Sequence, residues 1–420
     1  MGSQTSESEG TSVAQREGPH TTIEEGTQSG AIRVARVAVC LLRLGPEAEP
    51  LFTVPAARAL SDQISASLIK ALSADTRVSE VITAPPAPEF DNARTVPFFY
   101  IDPDRDGPTL GVEQFQAFRL NTALEFRVRV PAKNQPKYRS MDDVPTDDYL
   151  VSWDGTVLYV QWDQENPAST GSGGHVVLSI VEEIARAAGY EAVVMACSRG
   201  CHHRFIHGDF VTFASDRVPD HYHRIGSSPT GNGFTVPFSM SDNAVEDLRR
   251  IRRHLSVLIE VFAGTKSIAD AILYWGWRAR ADAQTTLSIA YERVSKRPWY
   301  RPVGWLIDSW RLRGTSKLSQ KMQSSQWLSL ASIDSQIGNW REGDKRFAER
   351  VGTERLKELA RLFDTAGDEV RSLDTTTVRA SLQDIASRAE GRSLRVVTLA
   401  GAACALVGAV VGAVGSALLT

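Results

Sequence analysis

From Val396 to Thr420 the chain runs 25 residues without one charged side chain. That stretch narrows the choice of fold more than anything else in the sequence, because inside a bilayer every backbone polar group must be satisfied within the segment. As a helix it reaches ~37 Å against a hydrocarbon thickness of ~30 Å, enough to span with some tilt. The expectation is one C-terminal transmembrane helix. The apolar stretch from Val34 to Leu44 offers no second span: it is short, Arg36 and Arg43 interrupt it, and it reads as a strand.

The flanks of the run predict an orientation. Arg388, Arg392 and Arg395 precede it and no charge follows, which by the positive-inside bias leaves the long N-terminal part in the cytoplasm. Residues 1–30 are mostly Ser, Thr, Gly and Glu, with no apolar core of signal-peptide type, and read as a disordered tail. The pattern is that of a tail-anchored protein. Within the run, Gly401, Ala405, Gly408, Gly412 and Gly415 step by four and three and lie on one helical face. Small residues let two helix backbones approach closely in lipid, so a homo-oligomer through Gly401, Gly408 and Gly412 is expected.

Ahead of the run, 420 residues at 42% hydrophobic leave room for two or three cores. Four cysteines (Cys40, Cys197, Cys201, Cys404) are too few and too scattered for a disulfide framework. The net charge of −3 hides an asymmetry: residues 1–240 carry 20 Lys/Arg against 30 Asp/Glu, and residues 241–420 carry 27 against 20. The front is acidic and the back basic.

Patterning divides the chain accordingly. Residues 31–213 alternate strand-like and helix-like stretches: AIRVARVAVCLLRL as a strand, a helix striped by Leu60, Ile64, Leu68 and Leu72, then VPFFYI, ALEFRVRV, DDYLVSW and TVLYVQW as strands. Asp154-Gly155 between the last two is a hairpin signal. A Ser/Gly loop leads into a helix from His175 to Ala188, stopped by Gly189, and EAVVMA follows as a strand. Residues 214–241 lack periodicity and read as a loop or linker. Beyond them Val245 to Phe262 steps by three and four with Gly264 as a cap, a second helix runs from about Ile268 to Val294, and further helices follow. The expected architecture is a tail (1–30), an α+β cytoplasmic domain (31–213), a linker (214–241), an all-α bundle or stalk (242–392) and the transmembrane anchor (396–420).

Three constellations carry chemistry-bearing side chains. CSRGCHHRFIHGD (197–209) gathers two thiols and three imidazoles; Cys197, Cys201, His202, His203 and His207 are the donor types that zinc takes in a tetrahedron. The rival reading is plain packing of a small thiol at a strand end. In a strand–helix–strand unit with parallel strands, the loops after both strands lie on one sheet edge. That brings His175 and Cys197 together, the minimum for a thiolate nucleophile. Their order resembles caspase-like peptidases, in which a His after one strand precedes a Cys turn after the next, and the resemblance implies a His/Cys peptidase-like role. It covers one unit of the chain, and the separation of 22 residues is shorter than the ~50 of caspases.

DPDRDGPTLGVE (102–113) fits a calcium loop: Asp102, Asp104 and Asp106 supply carboxylates, Pro108 a carbonyl, Glu113 a bidentate carboxylate, and Gly107 the sharp turn. A strand leads in, EQFQAFRL reads as the exiting helix, and the rival is an acidic surface turn. Between Trp275 and Lys321, finally, ten Lys/Arg face three Asp/Glu, with Trp275, Trp277, Trp299, Tyr300, Trp305 and Trp310 interleaved. Such a mixture suits a bilayer headgroup region or a bundle core; nucleic acid is the longer inference.

Together these features describe a membrane protein whose front domain is a sensor or protein-interaction module. Two rivals remain: a metal- or thiol-dependent enzyme working through 197–209, as a zinc-dependent hydrolase or the His/Cys type, and a membrane-acting effector that oligomerises through its span.

Overall fold

The computed structural model describes residues 31–44, 54–82, 96–101, 112–130, 148–167, 173–195, 204–216, 218–225, 233–295, 301–311 and 315–383. The tail 1–30 and the uncharged run 396–420 lie outside them. Among the described residues no helix is long and apolar enough to cross a membrane.

Strand β1 (Ile32–Arg43) organises the molecule. Its alternation sends Val34, Ala38, Cys40 and Leu42 to one face and Ala35, Val37, Val39 and Leu41 to the other. Ten of its twelve residues are buried, so both faces are covered. Each edge of β1 carries two antiparallel partners in succession. One edge takes β9 (Asp209–Phe213) and then β8 (Glu191–Val194); the other takes β7 (Val157–Trp162) and then the end of β4 (Val112–Ala117). Beyond β7 the sheet continues through β6 (Asp148–Trp153), β5 (Leu124–Arg129) and β2 (Val78–Ile82). Beyond β9 it continues through β11 (Gly233–Thr235) and β10 (His223–Ile225), and β3 (Val96–Ile101) pairs with β4. The β9–β11 pairing is parallel, which makes the sheet mixed.

Helices α1 (Val54–Ala74) and α2 (Gly173–Ala187) cover one face. The stripe expected for α1 packs as read, with Ile64, Leu68 and Leu72 buried against Val177, Ile180, Val181 and Ile184 of α2 and the sheet. The opposite face is covered by α3 (Ala244–Val294), through Leu248, Ile251, Leu255, Leu258, Ile259 and Phe262. This region is α+β, and the helical region grows directly out of it.

Asn243 caps α3, its side chain accepting from the Val245 amide, and Glu246 and Asp247 occupy the positive first turn. Gly264 does not end the helix, contrary to the two-helix expectation. Phe262, Ala263, Thr265, Lys266 and Ala269 around it are all buried, and packing overrides the roughly 1 kcal/mol that an interior glycine costs. The result is one helix of 51 residues, about 76 Å long. Its first half lies on the sheet; its second half pairs antiparallel with α5 (Thr315–Val351). The short α4 (Pro302–Arg311) joins them at the far end. Two other expectations need correction. Residues 214–241 are not only linker, since β10 and β11 lie within them, and where Leu356, Leu359, Phe363, Ala366 and Val370 are spaced as for a further helix, the chain forms a 3-10 turn (Lys357–Leu362) followed by α6 (Gly367–Arg371).

Candidate functional site

Strands β7 and β8 are both antiparallel to β1, hence parallel to one another, and α2 connects them. The strand–helix–strand unit expected from the sequence is present. Its consequence at the sheet edge is specific. The Met195 amide donates to the Val39 carbonyl at 2.9 Å, and the Ile206 amide donates to the Val37 carbonyl at 2.8 Å. The segment between them therefore leaves and rejoins one nearly continuous line of pairing along β1, and β9 carries that line on. Cys197, Cys201, His202 and His203 belong to this segment and lie outside the described residues.

What holds the returning end is described. Arg204 donates to the Ser179 hydroxyl at 3.3 Å and pairs with Glu182, both on α2. Phe205 is buried, and the His175 ring meets it edge-on with centroids 5.2 Å apart. So His175, in the first turn of α2, stands beside the re-entry point of the segment that carries the cysteines. Beneath it, Arg36 of β1 donates from Nε to the Asp209 carboxylate at 2.7 Å, with its guanidinium 5.2 Å from the Trp162 ring centroid and 6.0 Å from that of Phe205. Asp209 is buried in this pair, so its carboxylate already holds a cation.

The remaining histidines disperse. His207 is exposed, although Phe205, Ile206 and Asp209 around it are buried. His221 and His223 flank the buried Tyr222 on the far side of the sheet, with rings 4.8 Å apart. Among the described residues no three His, Cys, Asp or Glu side chains stand close enough to hold a metal ion. Cys40 is a free buried thiol that burial pushes up to about 12, so it stays protonated and inert.

The calcium pattern falls on a different local structure. Ile101 pairs with Val112 and Tyr100 with Glu113, so residues 102–111 connect the strands of a hairpin. EQFQAFRL is not an exiting helix: Val112–Ala117 is strand β4, and Glu113 is a strand residue. Asp102, Asp104 and Asp106 lie outside the described residues.

The basic and aromatic constellation occupies the far half of the bundle and splits in two. Trp275 turns inward beside Ile272, Ile333 and Trp340, with the Arg278 guanidinium 5.4 Å from its ring centroid. Trp277, Leu287 and Tyr291 of α3 face out. On α4 the exposed large apolar side chains among the described residues are Val303, Ile307 and Trp310, 70%, 56% and 73% exposed at positions i, i+4 and i+7. Trp299 and Tyr300 lie outside the described residues, as does the Trp305 side chain. In the sequence the tryptophans stand out by residue type, whereas Val303 and Ile307 are marked only by their spacing with Trp310.

One basic corner had no sequence signal at all. His254 of α3 packs edge-on against Phe238, with centroids 5.4 Å apart, beside Arg250, Arg253 and Arg355. Burial lowers its affinity for a proton, and the three guanidinium groups lower it further. Between α1 and α2 an open groove of about 590 Å³ is bridged by Arg77, which binds Asp75 and Glu183 at 2.7 Å each and ties the two helices together.

No family model, no curated protein and no solved structure matches this chain.

Proposed function

We propose that this chain is a membrane protein anchored through residues 396–420, with its α+β region serving as a sensor or protein-interaction module. The observation that carries this reading is α3. Its first half is bound to the sheet by buried charge pairs: Arg33 to Asp247 at 2.6 Å, and Glu125 to Arg249 and Arg252 at 2.7 and 3.3 Å. Its second half is the spine of the bundle. A helical stretch over 376–383 packs Val378 and Leu382 onto Ala279, Ala283 and Leu330 of that far half, twelve residues before the uncharged run begins. A rigid stalk of this kind suits a domain that must be presented at a set distance from a surface. The arginines before the run favour a cytoplasmic front, and its Gly401, Gly408 and Gly412 face favours self-association.

The test is extraction of membranes at alkaline pH. The full chain should stay in the pellet, and a chain ending at Arg395 should be released. Release of both would remove the anchor, and a reporter at the N-terminus active only outside the cell would reverse the orientation.

A second reading is a thiol- or zinc-dependent enzyme, favoured by His175 standing against Phe205 where the segment with Cys197 and Cys201 rejoins the sheet. Zinc in the purified protein, lost in Cys201→Ala, would support it. Absence of zinc together with full resistance of Cys197 to alkylation would end it.

A further inference from the structure

We infer that α4 is an interfacial helix that seats on an anionic bilayer surface, an inference that rests on the anchoring proposed above and extends it to a second contact. Three observations point the same way. Val303, Ile307 and Trp310 form an outward apolar stripe on a helix at the tip of the bundle, and each is more than half exposed. Leu287 and Tyr291 of α3 and Leu318 of α5 are exposed near the same tip. Water gains nothing from such a stripe, whereas the headgroup–acyl boundary takes the apolar face of a helix lying in its plane.

Charge selects the kind of surface. Residues 275–321 carry ten Lys/Arg and three Asp/Glu, and Arg301, Arg311 and Arg313 immediately flank or close α4. A stretch of chain with net positive charge and an apolar stripe is drawn to anionic lipid and gains little on a neutral one. A second copy of the chain would bring the same positive charge to the same place, which disfavours pairing tip to tip.

Geometry supplies the third argument. The end of α3 lies eleven residues beyond Ala283, about 17 Å along the axis. Leu382 packs at the level of Ala283, and twelve residues separate Gln383 from Val396. That link covers ~20 Å as a helix and at most ~45 Å extended. The start of the anchor can therefore lie at the level of α4, so one membrane plane can hold both. The stalk would then meet the bilayer at two points, the anchor and the tip.

The experiment uses the full chain reconstituted into vesicles of phosphatidylcholine alone or mixed with phosphatidylserine, with lipids brominated near the headgroup end of the acyl chain. Tryptophan fluorescence is compared between the parent, Trp310→Phe and Ile307→Glu, both at exposed positions that leave the core intact. The parent should show a quenched component in the mixed vesicles that Trp310→Phe lacks and Ile307→Glu abolishes, and high salt or neutral lipid should diminish it. Equal quenching in parent and Trp310→Phe in both vesicle types overturns the inference, and so does cross-linking of two copies through position 310. Alkaline extraction of the same samples separates the two readings. Retention without Trp310 quenching sinks the docking of α4 alone, and quenching in protein that alkali releases sinks the anchor alone.

Discussion

Gly155, which follows Asp154 in the hairpin turn, and Gly189 are both turn glycines with positive φ, yet their surroundings differ. At Gly155 (φ +83°) an added Cβ would stand 2.5 Å from the Phe118 carbonyl oxygen, and the backbone of Leu120 is close by. At Gly189 (φ +87°) nothing lies within 4 Å, and the residue only closes α2, with the Tyr190 amide donating to the Ala185 carbonyl at 2.9 Å. Gly189→Ala should therefore cost the left-handed backbone penalty alone, about 1 kcal/mol. Gly155→Ala adds a backbone clash at the centre of the sheet and should cost at least ~3 kcal/mol. Urea denaturation of the two variants checks the order, and equal losses would refute it. His254 gives a pH dependence with a definite sign. Its folded pKa lies below the ordinary value near 6.5, by burial first and then by Arg355, Arg253 and Arg250. Between those two values the unfolded chain binds a proton that the folded chain refuses, so stability declines as pH falls through that window and levels off below it. His254→Gln should flatten this share of the decline when melting temperature is followed from about pH 7.5 to about pH 5. A slope unchanged by the substitution would assign the decline to other groups.

At the scale of elements, the junction of α3 with the sheet rests on polar contacts inside an apolar layer. Glu125 is 1% exposed and receives both Arg249 and Arg252, while the Tyr159 hydroxyl lies 3.0 Å from that of Ser256. Glu125→Gln strands two guanidinium groups against the sheet; both keep some access to water, so the expected loss is roughly 2–3 kcal/mol, below the full figure for a sealed pair. A melting temperature within a degree or so of the parent would mean that the pair is merely tolerated. Such long-range pairings explain how far the sequence could be read. The β6–β7 hairpin and α2 were legible because their signals are local: Asp-Gly at the turn, apolar spacing of three and four, and a glycine stop. The crossover that brings His175 to the sheet edge was legible for the same reason. The continuity of α3 was not, because Gly264 is a local stop signal that α5 and the buried residues around it override. Nor were β10 and β11, three residues each, since their pairing depends on β9 and on each other. EQFQAFRL reads equally well as a helix, and its partner β3 decides for strand. Likewise Arg33 and Arg36 break the apolar run of β1 in sequence, and only Asp247 and Asp209, more than 170 residues away, reveal why the strand tolerates them.

For the whole molecule, the question raised by α3 is whether the sheet and the bundle move as one body. Both halves share a single unbroken helix, and the side chains on either side of Gly264 are packed against different partners. Phe262 meets Phe347 and Phe363 at the sheet end of the bundle, with centroids 6.1 and 5.0 Å away, while Ala269 and Ile272 join Ile333 and Trp340 beyond it. A hinge at Gly264 would have to open both contacts at once. Spin labels at two exposed sites, Val257 on the sheet half and Ser288 near the tip, measure this directly in a chain whose Cys197, Cys201 and Cys404 are replaced by Ser. Thirty-one residues of unbroken helix separate them, which corresponds to about 47 Å. The expected result is one narrow distance distribution near that value, the same in detergent and in vesicles. A broad or shorter distribution would mean that the helix bends at Gly264 as its sequence invites, and the α+β region would then be tethered to the bundle instead of held at a fixed height.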